Sequence, residues 1–144
     1  MNELDTIKLL KECVSGAKMG IESFEVVNKY IKDEVLRNII NQAKLDHQEI
    51  LNKCEEQLNI YSSEGKEPNL IVSEMSKLKM KIELTFNDND SKVASIMTDG
   101  CNMGIKSLST FKNKYKDADK VALSLCNDLI YKEEILSINL RKYL

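Results

Sequence analysis

Apolar residues recur along most of this chain in steps of three and four, the spacing that puts them on one face of an α-helix. The pattern predicts helices over about residues 4–31, 34–61, 70–86 and 91–115, and a fifth that begins after Lys116-Asp117. No stretch of useful length alternates apolar and polar residues as a strand would. The predicted fold class is therefore all-α.

Two of the predicted helices carry a histidine or a glutamate within their apolar stripe. The stripe of the second helix comprises Leu36, Ile40, Ala43, His47, Ile50, Cys54, Leu58 and Tyr61. The stripe of the fifth comprises Ala122, Cys126, Leu129, Glu133, Leu136 and Leu140. In this register His47 and Glu133 occupy comparable places. A Glu-Ile-Leu triplet at 49–51 and again at 134–136 gives another register, in which Lys132 is the partner of His47. Both alternatives stay open.

The chain also contains an internal repeat. Residues 19–23, Met-Gly-Ile-Glu-Ser, return nearly unchanged as residues 103–107, Met-Gly-Ile-Lys-Ser. We interpret this as two related helical hairpins in a single domain over residues 1–144. The first hairpin covers about 4–61 and the second about 91–144. A crossover with a short helix, about 62–90, joins them, and hairpin–crossover–hairpin is the plan of ferritin-like bundles.

The repeated Met-Gly-Ile segments, the Asp-Ala-Asp at 117–119 and the charged closing helix resemble an uncharacterised ferritin-like four-helix-bundle family of Gram-positive bacteria of the clostridial and bacillar type. The resemblance covers nearly the whole chain and rests on packing motifs. It implies a ferritin-like antiparallel four-helix bundle with an extra helix in the long crossover. No established activity comes with it.

The ferritin-like plan raises the question of a di-iron centre, which takes a Glu from each of two helices and a Glu-x-x-His from each of the other two. His47 is the only histidine, and Lys44 stands three residues before it. Glu22 is a candidate ligand, but its counterpart in the repeat is Lys106. The ligand set is absent, so we predict no cofactor. The alternative is iron or manganese in a degenerate site around His47, Glu133 and Glu22.

If His47 and Glu133 meet in the core, they either bind an ion or a ligand or form a hydrogen-bonded buried pair, and the second interpretation is favoured because buried polar groups normally find partners. A rotated helix would instead bring both to water. The small residues Ala17, Gly20, Gly100 and Gly104 permit close packing or a void that accepts a small ligand. Close packing is favoured because protein interiors leave few voids.

Several other residues have a structural interpretation. The four cysteines are far apart and lie in apolar helical patterns, which predicts buried free thiols in a reducing cytoplasm. Asp33, and Asp88 and Asp90 later in the chain, are predicted helix caps. Four methionines at helical spacing are predicted to belong to the core: Met75, Met80, Met97 and Met103.

Composition excludes several functions. The formal charge is -2 and no basic run occurs, so no nucleic-acid partner is predicted. No apolar run approaches the ~20 residues that span a bilayer, and the start does not resemble a secretory signal. No catalytic nucleophile can be assembled, so we predict no enzyme activity. The hypothesis is a cytoplasmic, non-enzymatic bundle that self-associates or binds another protein. The alternative is a metal-binding or oxidative-stress protein.

Overall fold

A computed structural model describes residues 2–61 and 89–144. These residues form four long helices, α1 (Glu3–Asn28), α2 (Glu34–Ile60), α3 (Asn89–Lys114) and α4 (Lys120–Leu140), and a closing 3₁₀ turn at Arg141–Tyr143. No strand occurs among the described residues, so the all-α prediction is confirmed for them. The helix predicted over 70–86 lies outside the described residues. So do the predictions for Met75, Met80 and Asp88.

Side-chain caps set the starts of three helices. The Asn2 side chain accepts from the Asp5 amide at 3.1 Å, and Asp33 accepts from the Leu36 amide at 2.9 Å. Asp119 accepts from the Ala122 amide at 2.8 Å. Each cap provides a partner for a backbone N–H that the first helical turn leaves unpaired. The predicted cap at Asp33 is confirmed.

Asp90 has a different role from the predicted one. It lies inside the first turn of α3, and its carboxylate accepts from the amides of Lys32 at 2.7 Å and Asp33 at 3.0 Å. Its side chain therefore binds the connection between α1 and α2 rather than capping α3. In the same connection, Arg37 donates to the carbonyls of Asn28 at 3.0 Å and Ile31 at 2.5 Å. These bonds give the two carbonyls a donor where α1 ends, three residues earlier than predicted.

Contacts at the two ends of the bundle determine the helix directions. At one end, the Asn2 amide donates to the Asp117 carbonyl at 2.7 Å, and the Tyr61 hydroxyl donates to Asp119 at 2.8 Å. At the other end, the Tyr143 hydroxyl donates to Asp33 at 2.7 Å. Thus α1 and α4 run parallel to each other and antiparallel to α2 and α3. Residues 61 and 89 lie at opposite ends of the bundle.

The apolar core divides into two halves along the bundle. The first core half, near the start of α1, includes Leu9, Leu10, Cys13, Val14, Cys54, Leu58, Cys126 and Leu129. The second core half, near the start of α2, includes Phe24, Val27, Leu36, Ile40, Val93, Met97, Cys101 and Leu140. His47 and Glu133 are buried polar side chains, and each lies along its helix between residues of the two halves.

Of the two described methionines that were predicted to belong to the core, one is buried and the other is exposed. Met97 is buried in the second core half, as predicted. Met103 exposes 58% of its surface, so its assignment to the core was wrong. It lies beside Gly104 on the side of α3 that borders a groove, rather than on the side that packs on α4.

Candidate functional site

The histidine and the glutamate of the two stripes meet in the middle of the bundle. His47 Nε2 on α2 lies 2.5 Å from Glu133 Oε1 on α4, and both residues are buried. The neighbouring Lys132 instead pairs with Asp46, with Nζ 3.6 Å from Oδ2. The stripe register is therefore the one that the structure adopts, and the register that paired His47 with Lys132 is not.

The hydrogen bonds of His47 fix the number of protons in the pair. Its Nδ1 lies 2.8 Å from the Ala43 carbonyl oxygen. A carbonyl oxygen only accepts, so Nδ1 carries a hydrogen and donates it. One proton then lies between Nε2 and Oε1, held either by the imidazolium or by the carboxylic acid. Both forms of the pair have zero net charge, which avoids the cost of burying a single unpaired charge.

Glycines from the two repeat copies contact the two members of the pair. A Cβ at Gly20 would lie 2.8 Å from His47 Cδ2, closer than real Cβ atoms approach, and 3.2 Å from Nε2, which is tighter than most real contacts. A Cβ at Gly104 would lie 3.6 Å from Glu133 Cδ and Oε2, an ordinary contact. The edge-on ring of Phe24, 4.9 Å from the imidazole centroid, also restricts His47. Close packing is therefore present at Gly20.

Cys101 is a third polar group at this site, and the sequence analysis missed it. Burial, and then the neighbouring Glu133 carboxylate, raise the pKa of the Cys101 thiol well above its ordinary value. A raised thiol pKa keeps the sulfur protonated, so Cys101 is a poor nucleophile. The available signal was its position one turn before Gly104 on the stripe of α3.

A groove between α1 and α3 leads to this pair. Its volume is about 490 Å³. Leu129 and Glu133 of α4, which lies behind α1 and α3, form its floor. Four of its lining residues are glycines, Gly16, Gly20, Gly100 and Gly104. At Gly100 a Cβ would find no atom of the described residues within 4 Å. The expected close packing is thus wrong at Gly100, because α1 and α3 stand apart along this stretch.

The structure brings together only two of the three ligands predicted for the alternative metal site. His47 and Glu133 come together, but Glu22 neither lines the groove nor forms a described contact with the pair. Both ring nitrogens of His47 already have partners. Within residues 2–61 and 89–144, no group of three or more His, Cys, Asp or Glu residues is arranged to hold a metal ion.

The remaining cysteines lie together in the first core half. All four cysteines are buried and free, as predicted. Hydrogen bonds to Cys126 and Cys54, together with burial, raise the pKa of the Cys13 thiol well above its ordinary value. The Cys126 thiol approaches the Leu108 carbonyl at 3.7 Å. These thiols therefore act as small, mutually bonded core side chains away from the groove.

The interpretation of this site rests on its geometry. No helix in the described ranges has the length and apolar character needed to cross a membrane. The site that the structure does provide is a buried histidine–glutamate pair at the floor of a groove between two helices. Comparison with protein-family models, with curated proteins and with solved structures finds no match to this chain.

Proposed function

We propose that this protein is a non-enzymatic binding protein, and that the groove between α1 and α3 takes a small molecule with an apolar body. The observation that carries the proposal is the groove itself, about 490 Å³ in volume and lined in part by the buried Glu133, the partner of His47. Ligand sites typically have volumes of about 300–1,000 Å³, apolar walls and a few polar groups. This groove has that size and that composition.

We further propose a ferritin-like plan without the di-iron ligand set, as the family resemblance implies. The support is topological, since two antiparallel hairpins are joined between opposite ends of the bundle. Duplication of one hairpin is supported by paired features. Asp33 and Asp119 both cap the second helix of a hairpin, and Gly20 and Gly104 both contact the central pair.

The absence of enzyme activity is proposed from the state of the polar groups. Nucleophilic catalysis needs a nucleophile activated by a base within hydrogen-bond reach. The His47 nitrogens bind Ala43 and Glu133, and the raised pKa of Cys101 disfavours its thiolate. The described groove residues therefore support recognition of a ligand better than its chemical conversion. With its buried free thiols, the protein is proposed to be cytoplasmic.

A groove-filling variant tests the binding proposal. Gly100→Leu places a large side chain in open space along the groove, whereas Asn102→Leu adds the same side chain at an exposed position of α3 outside it. The full chain is titrated with Nile red, a neutral dye whose fluorescence rises in apolar surroundings. We expect saturable binding that Gly100→Leu abolishes and Asn102→Leu retains. Absence of saturable binding by the unmodified chain, or equal binding by Gly100→Leu, overturns the proposal.

A second proposal is self-association through one end of the α2–α4 face. Val35 and Ile138 expose 51% and 53% of their surfaces and line one shallow hollow together with Ile39. Neighbouring apolar side chains of this kind favour a protein contact. Light scattering after size-exclusion chromatography tests it. Ile138→Asp is expected to yield monomers, while the exposed Ser124→Asp on the same helix is not. A monomeric unmodified chain would contradict the proposal.

A further inference from the structure

We infer that the ligand of the groove between α1 and α3 is an organic cation, an ammonium group on an apolar body, with its N–H groups directed at Glu133. This inference rests on the groove being a binding site, as proposed above, and adds the chemical class of its ligand. Three observations support it: the sign of the groove's charges, the surroundings of Glu133, and the nature of the walls.

The charged residues that line the groove all have the same sign. They are Glu12, Asp99 and Glu133, and no lysine or arginine occurs among the described lining residues. The whole chain is nearly balanced, with 21 basic and 23 acidic residues. The acidic lining is therefore a local property of the groove. Such a groove attracts a cation and repels an anion.

Glu133 is the acidic residue at the floor, and it belongs to a pair with His47 that has zero net charge. Its Oε1 is bound to His47, while its Oε2 lies on the side of Gly104, 3.6 Å from the position of an added Cβ. Gly104 has no side chain to cover this carboxylate, and both Gly104 and Glu133 line the groove. Glu133 is also 9% exposed, and a charge-assisted hydrogen bond is stronger in such a buried setting than in water.

The walls suit the apolar body of such a ligand. They include Ile96, Met97, Met103, Leu108 and Phe111. Methionine side chains adapt to irregular shapes, and an aromatic ring attracts a cation through its face. A metal ion would gain little from these apolar walls. An alkyl- or arylammonium ion would bury its hydrocarbon part against them while its charged end reaches the carboxylates.

The test uses three probes that share one body and differ in charge: 4-phenylbutylammonium, 4-phenylbutan-1-ol and 4-phenylbutanoate. Each is titrated into the full chain by isothermal calorimetry at one pH and ionic strength. We expect the ammonium compound to bind at least ~10-fold more tightly than the alcohol, as a hydrogen bond to a charged group provides. The carboxylate should bind more weakly than the alcohol.

Two variants connect this preference to Glu133. Glu133→Gln keeps the shape and replaces the carboxylate by an amide, so the ammonium and the alcohol should then bind within a few-fold of each other. Asp128→Asn removes one charge from an exposed site on α4 outside the groove and should keep the full preference. If circular dichroism finds Glu133→Gln unfolded, Asp99→Asn replaces it and is expected to lose part of the preference.

The outcomes separate this inference from the proposal beneath it. If the alcohol or the carboxylate binds as tightly as the ammonium compound, the ligand class is wrong. The groove remains a binding site in that case, provided that Gly100→Leu still abolishes Nile red binding. A preference that persists unchanged in Glu133→Gln also overturns the inference. If neither the probes nor Nile red bind saturably, the inference and the proposed function fail together.

Discussion

Gly20 and Gly104 occupy the same place in two nearly identical five-residue segments, yet their surroundings differ. Gly20 faces the imidazole of His47, and an added Cβ would lie 2.8 Å from a ring carbon. Gly104 faces the carboxylate of Glu133, and an added Cβ would lie 3.6 Å from it. The imidazole is held in place, because it contacts Ala43, Glu133 and Phe24. A repeated glycine is thus a steric requirement in one copy and an optional residue in the other.

The difference also separates a packing role from a binding role. On the α1–α2 side of the pair, the histidine ring occupies the space that a Cβ of Gly20 would take. On the α3 side, the space beside Glu133 belongs to the groove. The same sequence feature therefore lets a core side chain pack in one hairpin and keeps a carboxylate approachable in the other.

The largest effect on stability is expected from removing His47, the side chain that makes the two glycines differ. His47→Ala leaves a cavity and leaves Glu133 buried without its partner, which should lower the free energy of unfolding by about 3 kcal/mol or more. Urea denaturation measures this loss. In the His47→Ala background, Gly20→Ala has no ring to strike and should cost little, giving a coupling energy of about 1–3 kcal/mol. Additive effects of the two substitutions would contradict the steric explanation.

The direct comparison is between two single alanine substitutions. Gly20→Ala should destabilise the protein by about 1–3 kcal/mol, because an overpacked core must shift. Gly104→Ala should be neutral or stabilising by up to about 1 kcal/mol, because alanine favours the helix over glycine. Both variants gain the same helix propensity, so the difference between their unfolding free energies isolates the contact with His47. Equal values would show that the two glycines are equivalent.

Gly100 extends the comparison to a glycine with no described neighbour. Gly100→Ala should raise the free energy of unfolding by about 0.5–1 kcal/mol, since it gains helix propensity without a contact to disturb. Thermal and urea denaturation both measure this gain. A loss of stability would mean that the position is packed in solution, and would also weaken the groove as a binding site.

The smallest effect is expected at the two ends of the bundle, where a tyrosine of one hairpin donates a hydrogen bond to an aspartate of the other. Burial, and then the bond to Asp33, raises the pKa of Tyr143 to about 12. The protonated hydroxyl is the form that is stabilised, so this contribution is fully present below the ordinary value of 10.0 and is lost as the pH rises through about 12. Tyr143→Phe should therefore reduce the loss of stability over this alkaline range.

At acidic pH the same bond has the opposite pH dependence, because its stabilising effect is lost as the pH falls. The bond from Tyr143, followed by the Leu36 amide, lowers the pKa of Asp33 below its ordinary value of 3.8. That contribution is present above 3.8 and disappears as the pH falls through the lowered value. Melting temperatures at acidic, neutral and alkaline pH measure both sides, with the exposed Tyr131→Phe as control. If the melting temperatures of Tyr143→Phe and Tyr131→Phe depend on pH in the same way, the bond does not contribute to stability.

The helix faces could be predicted from the sequence because helical periodicity is local. In the stripes of α2 and α4, every residue except Tyr61 is buried. The partner of His47 could not be predicted, because a shift of one position along α4 exchanges Glu133 for Lys132. That register depends on how the helices pack together. The groove was also beyond prediction, since the separation of α1 and α3 depends on the whole bundle. The same is true of the contact between Cys101 and Glu133.

The bonds between α2 and α4 have a consequence for chain length. Asp33, His47 and Tyr61 of the first hairpin bind Tyr143, Glu133 and Asp119 of the second, at the two ends and the middle of the helices. The spacing from Asp33 to His47 equals that from His47 to Tyr61 and that from Asp119 to Glu133. Inserting one residue between these points would rotate the following side chains by about 100°. Because α2 and α4 lie entirely between the outer bonds, insertions and deletions within either helix should be poorly tolerated.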